Sequence, residues 1–169
     1  TTQKTIVLGY GAYEKIAGSF LNKLIRFETL MTAVSYFSWA KMGRPYMGVG
    51  RNMAYKKEEF FNVNGFIEHM KIRSGDDDLF VNEASNSQNV AICTEPESHT
   101  ISEPKMTWKT WFIQKRRHLS VGKKYKFRDK FLLGLLAIFL MLLVNALVRM
   151  VLFSPRLICQ QISLTFAQP

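Results

Sequence analysis

Cysteine is scarce: the 169 residues hold two, Cys93 and Cys159, which lie 66 positions apart with no C-x-x-C pair. Neither a disulfide framework nor a zinc ribbon can be argued from them, and a reducing compartment is the expectation. Acidic residues are few, 13 Asp and Glu against 23 Lys and Arg, and there are 3 histidines. No internal repeat, low-complexity tract or signal peptide is visible. The chain opens at Thr1 and runs almost at once into apolar Ile6 to Leu8, so it is expected to begin inside a longer protein. Gly43 and Gly48 have the interval of a phosphate loop but lack the Gly-Lys-Ser/Thr ending. Glu68-His69 is not part of H-E-x-x-H, and Ser98-His99 has no G-x-S-x-G nearby, so both read as ordinary loop residues. Nothing argues for haem, flavin or structural zinc.

The chain does carry 47% hydrophobic residues and an uneven charge. Residues 1 to 114 hold 13 basic and 12 acidic side chains, whereas residues 115 to 130 hold 8 and 1. A cationic stripe beside an apolar block fits anionic lipid and argues against a nucleic-acid face spread over a domain. Phe131 to Val148 has no charge and one polar residue, Asn145, and the run reaches Phe153 if Arg149 snorkels. That is enough to cross a hydrocarbon core about 30 Å thick. Lys123, Lys124, Lys126, Arg128 and Lys130 stand ahead of it. The positive-inside rule therefore puts the globular part on the cytoplasmic side of a cell (inner) membrane. Residues 154–169 form a tail, and Leu157 to Phe166 could begin a second span.

Upstream, Thr5 to Tyr10 reads as a strand. Ile16, Phe20, Leu24, Phe27, Met31, Val34 and Phe37 recur at helical steps, predicting a helix from Tyr13 to about Lys41 with this stripe as its core face. Tyr46 to Tyr55 reads as a glycine-bearing strand, Lys57 to about Asn62 as a short helix and Val90 to Thr94 as another strand. A polar loop is expected to carry Ser74-Gly75-Asp76-Asp77-Asp78-Leu79-Phe80, and an aromatic helix to begin near Met106. The three aspartates could form a solvated turn. Alternatively, one carboxylate held beside its like-charged neighbours could act as a general base. On the aromatic helix, Gln114, Arg117 and His118 share a face suited to phosphate, with Lys115 and Arg116 pointing elsewhere toward lipid headgroups. Trp108 and Trp111 read equally as interfacial anchors or as sugar-stacking platforms.

In order, Gly48-Val49-Gly50-Arg51-Asn52-Met53-Ala54-Tyr55-Lys56, the Ser74 to Phe80 segment and Gln114-Lys115-Arg116-Arg117-His118, followed by an apolar span, resemble the second half of a family 2 glycosyltransferase. The resemblance covers about Thr5 to Phe153. It implies an α/β fold, the C-terminal part of a GT-A-like (nucleotide-diphospho-sugar transferase) domain followed by a transmembrane helix. Residues 1–120 would be the acceptor-side half of the catalytic domain, 121–130 a basic juxtamembrane linker and 131–153 the span. The family's acidic pair falls on Asp76 and Asp77, making Asp77 the implied base, with Asp78 one residue on as the alternative. Gln114 and Arg117 match the family's Q-x-x-R positions against the donor diphosphate and the acceptor end. His118 stands where the family usually has Trp, which leaves processive and single addition both open. Gly50 and Asn52 belong to the implied substrate site.

The family's nucleotide half, with a D-x-D that holds a divalent cation (Mg²⁺ or Mn²⁺), is not among residues 1–169 and is expected in a larger enzyme of which this chain is the C-terminal part. No metal site is expected in this chain, and activity is expected only in the full-length protein. The implied reaction is inverting transfer from a nucleotide-sugar donor to a saccharide or lipid-linked acceptor. The competing reading is a non-enzymatic membrane-anchored module that binds through its basic stripe and acidic loop.

Overall fold

The computed structural model describes residues 4–65 and 75–165, with side chains through residue 150. His69 and Ser74 therefore lie outside the described residues. Two units partition the chain, one ending at Lys126 and one starting at Phe127.

In the first unit, strand β1 (Ile6–Gly9) buries Ile6 and Leu8 and turns Val7 outward, the alternation expected of a pleated strand. It forms the centre of a three-stranded sheet. β3 (Met53–Tyr55) pairs antiparallel on one side, with Ile6 opposite Tyr55, and β4 (Val90–Cys93) pairs parallel on the other, with Ile6 opposite Val90. After Tyr10 the chain continues as β2 (Gly11–Tyr13), which pairs parallel with β5 (Thr100–Ser102) in a separate two-stranded ribbon. The architecture is mixed α/β.

Helix α1 (Phe20–Lys41) starts later than its apolar repeat suggests, because residues 11–13 are taken by β2 and Ser19 caps the helix by accepting from the Asn22 N–H at 3.2 Å. Its buried face is Leu21, Asn22, Ile25, Ala33 and Tyr36. The expected core stripe points the other way: Phe20 is 70% exposed, Phe27 61%, Met31 44% and Val34 51%. The inward face lines a polar cavity, so it carries hydroxyls and a carboxylate, and the longest apolar repeat falls outside it.

The expected strand over Tyr46 to Tyr55 is mostly irregular. Tyr46 is buried, Gly50–Asn52 make a 3₁₀ turn, and only Met53 to Tyr55 join the sheet. Helix α2 (Lys57–Asn62) follows as predicted. The acidic segment is not a loop. Asp76, Asp77 and Asp78 form the first turn of helix α3 (Asp76–Ala84), where the positive helix end favours acidic side chains. Leu79, Phe80 and Val81 anchor that helix in the core. Helix α4 (Trp108–Val121) is capped by Thr107 and tied to α1 by an ion pair between Lys115 and Glu28.

The second unit is helix α5 (Phe127–Thr165). Its segment Phe127–Met150 is 24 residues long and apolar enough to cross a membrane, by length and composition. The backbone stays helical through Thr165, and the side chains of the expected second-span segment lie outside the described residues.

Candidate functional site

A cavity of about 300 Å³ opens within the first unit, lined from five stretches of chain: β2 with its preceding turn, α1, residues 47–51, the first turn of α3, and α4. Asp77, Asp78, Gln114, Arg117 and His118 all line it. The acidic triplet and the Gln/Arg/His face, about 37 residues apart in sequence, thus share one space. Asp76 is exposed and is not part of the lining.

Gly75 sets the acidic turn. It caps α3 at φ +81°, and a Cβ there would run into the Val121 side chain, so both backbone conformation and packing require glycine. From this cap Asp77 reaches Gly50, whose backbone N–H donates to Asp77 Oδ2 at 2.6 Å. Gly50 does not line the cavity. Its part is to hold the carboxylate, and a Cβ at Gly50 would sit 3.0 Å from the same oxygen. Asp78 turns inward, where burial and then the neighbouring Asp77 charge push its carboxyl up to about 8. A hydrogen bond with Tyr125 opposes this and is outweighed. The Tyr125 hydroxyl, buried beside Asp78 and Tyr46, is pushed up in turn. At neutral pH Asp78 therefore keeps its proton.

The cationic side comes from three residues. Arg51 donates to the Ala12 carbonyl at 2.9 Å and lays its guanidinium over the Tyr13 ring, 4.1 Å from the centroid, which fixes its direction. Arg117 lines the cavity from α4 beside Gln114, whose amide donates to the Tyr13 hydroxyl at 3.4 Å. Lys115 also lines the cavity, paired with Glu28, so it does not point away to lipid as its helical position suggested. His118 is lowered by the packing around its ring and by the Lys115 and Arg117 charges, against a smaller pull upward from Asp77. It enters neutral pH as a neutral imidazole.

Asn52 serves the fold. Its amide donates to Tyr10 O at 3.0 Å and to Ser98 O at 2.7 Å, latching the β1–β2 turn to the segment ahead of β5, and it does not line the cavity. Ser98 and His99 are likewise structural, with His99 set edge-on against Tyr10. Trp111 lines the cavity, whereas Trp108 packs against Phe20 on the outer side of the helix.

Arg51, Glu28, Thr29, Thr32 and Tyr36 also line the cavity and were not expected there. The signal for the α1 residues was present: Glu28, Thr29 and Thr32 at i, i+1 and i+4 put a polar patch on one face of an otherwise apolar helix. Among the described residues, no three His, Cys, Asp or Glu side chains gather to hold a metal ion. The divalent cation implied by the resemblance has no such ligand group among the described residues.

Comparison with protein-family models, curated proteins and solved structures finds no match to this chain.

Proposed function

We propose that this chain supplies the base and acceptor-side residues of a membrane-associated, inverting glycosyltransferase of family 2 type. The single observation that carries the reading is the shared cavity, which puts a backbone-held carboxylate, Asp77, within one space with Arg51, Arg117 and His118. An acceptor hydroxyl that enters this space gives its proton to Asp77 as its oxygen attacks the anomeric carbon of a nucleotide-activated sugar. The bond from that carbon to the donor diphosphate breaks in the same in-line step. The diphosphate leaves with the negative charge, which Arg117 and Arg51 stabilise by charge-assisted hydrogen bonds. His118, uncharged, can donate one further N–H.

Asp78 has a separate part. Pushed up by burial and then by the Asp77 charge, it lines the same cavity as a carboxyl whose O–H can donate to a bound group. The GT-A arrangement, with a nucleotide-binding half ahead of Thr1, belongs to this proposal, as does a cytoplasmic face for the globular unit. The latter is supported by the basic residues ahead of the apolar helix. Holding the site at a bilayer raises its effective concentration toward an amphiphilic acceptor.

The test is nucleoside diphosphate release from a panel of nucleotide sugars by the full-length protein in lipid. Release from at least one donor, lost on Arg117→Ala, is expected. A protein that binds and turns over none of them contradicts the reading.

A further inference from the structure

Much of the apolar stripe on α1 faces away from both the core and the cavity. Phe20, Phe27, Leu30, Met31 and Val34 are exposed and share one helical face, a ridge about 20 Å long on the side opposite Ile25 and Tyr36. The ridge does not stop at this helix. Phe20 meets the Trp108 ring at 6.4 Å and Trp108 meets Phe112 at 6.2 Å, so the apolar surface continues onto the outer side of α4. Trp108 and Phe112 are exposed as well, and none of these side chains lines the cavity. A contiguous apolar face of this kind marks a surface that meets something other than water.

Charge decides what covers it. Lys23 and Arg26 stand exposed beside the ridge on α1, and Lys109 and Arg116 stand exposed on the outer side of α4. Across both helices the one acidic side chain is Glu28, and Lys115 engages it. The rim is therefore positive throughout. A second copy of this chain would set like charges against each other, and a nucleic acid would leave the apolar ridge unmet. We infer that this face of α1 and α4 rests on the surface of an anionic phospholipid bilayer, the ridge at acyl-chain level and the Lys and Arg ends among the phosphates. Lys23, placed between Phe20 and Phe27, has a stem that can lie along apolar surface while its ammonium reaches a headgroup. Trp108 supplies an indole suited to the boundary. The same chain carries a helix apolar and long enough to cross a bilayer, which brings a lipid surface to this face at tethered concentration. The inference goes beyond the transfer reading and shares with it only the bilayer.

The experiment uses the full-length protein with its native cysteines replaced by Ser and a nitroxide attached at Met31→Cys or, as a site off the face, at exposed Glu97→Cys. The protein is placed in nanodiscs of phosphatidylcholine, with or without phosphatidylglycerol. Power-saturation EPR then compares collisions with oxygen, which concentrates in lipid, and with a nickel chelate, which stays in water. With phosphatidylglycerol present, the residue 31 label should favour oxygen and the residue 97 label nickel. Phosphatidylcholine alone should shift residue 31 toward nickel. Lys23→Glu with Arg26→Glu, and separately Phe27→Ser with Val34→Ser, change only exposed side chains, and each pair should remove most of the oxygen preference. A residue 31 label open to nickel in both discs leaves the face to water or to a soluble partner and overturns the inference. A label shielded from both reagents puts the face against protein and also overturns it, as does an oxygen preference that neither pair of substitutions changes. Nucleotide-sugar turnover by the same samples keeps the two readings apart. The expected oxygen pattern without diphosphate release from any donor leaves the bilayer face standing and the transfer reading wrong, and the converse result removes the bilayer face alone.

Discussion

Replacing Asp78 with Asn should make the protein more stable as the pH rises, which is the reverse of the usual effect of removing a carboxylate. In the folded chain, burial and then the Asp77 charge hold the Asp78 carboxyl up to about 8, against an ordinary value of 3.8. Between those two pH values the folded protein keeps a proton that the unfolded chain has released, so stability falls as pH rises. This contribution is fully present below about pH 4 and gone above about pH 8. One pH unit in a pKa is worth about 1.4 kcal/mol, so the whole interval corresponds to roughly 5–6 kcal/mol. Asp78 keeps part of its surface in solvent, and discounting by half for screening leaves about 2–3 kcal/mol. Asn preserves the shape and a partner for Tyr125 but does not ionise. The stability of Asp78→Asn relative to wild type should therefore climb by that amount from pH 4 to pH 8. Urea unfolding in detergent micelles, followed by tryptophan fluorescence at a series of pH values, measures the difference directly. A difference that stays flat across the interval would refute a protonated Asp78.

Gly50→Ala keeps the N–H that holds Asp77 but places a methyl 3.0 Å from Oδ2, so the carboxylate must move by a few tenths of an ångström. Transfer should fall by about tenfold while the unfolding midpoint changes little, as steady-state kinetics and a urea titration would show together. Gly75→Ala combines a left-handed backbone with a collision against Val121 and should cost about 2–4 kcal/mol in the same unfolding assay. Asn52→Ala strips the donor from two backbone carbonyls and should destabilise by about 1–3 kcal/mol, yet leave acceptor KM near wild type in what remains folded.

Much of the outline was legible because it depends on local chemistry. β1 shows as an apolar run closed by Gly9, α2 and β4 fall close to their predicted bounds, and the apolar block of α5 is defined by composition alone. Three features depended on tertiary context. The glycine segment looked like a long strand, but Gly50–Asn52 make a 3₁₀ turn before the sheet begins, with the Gly50 N–H donating to Asp77 from across the fold. The aspartates looked like a loop because charge hides helix periodicity, whereas their place at a helix N-terminus is a favourable one. The strongest periodicity of all, from Phe20 to Val34, marks the outer face of α1, since the inner face is given over to a polar cavity. In the candidate site, residue types and spacing pointed to Asp77, Asp78, Gln114, Arg117 and His118. The Glu28, Thr29 and Thr32 patch was legible as polar positions on one helix face, whereas Arg51 joins the site only once its guanidinium is set against β2.

Asp77 is proposed as the group that takes the acceptor proton. Full-length Asp77→Asn and Asp78→Asn proteins, compared for sugar transfer from a donor that the wild type uses at neutral pH, test it most directly. Asp77→Asn should lose about 10²- to 10⁴-fold in rate, and Asp78→Asn should stay within about tenfold of wild type. Normal transfer by Asp77→Asn, or an equal loss in both proteins, would contradict the account.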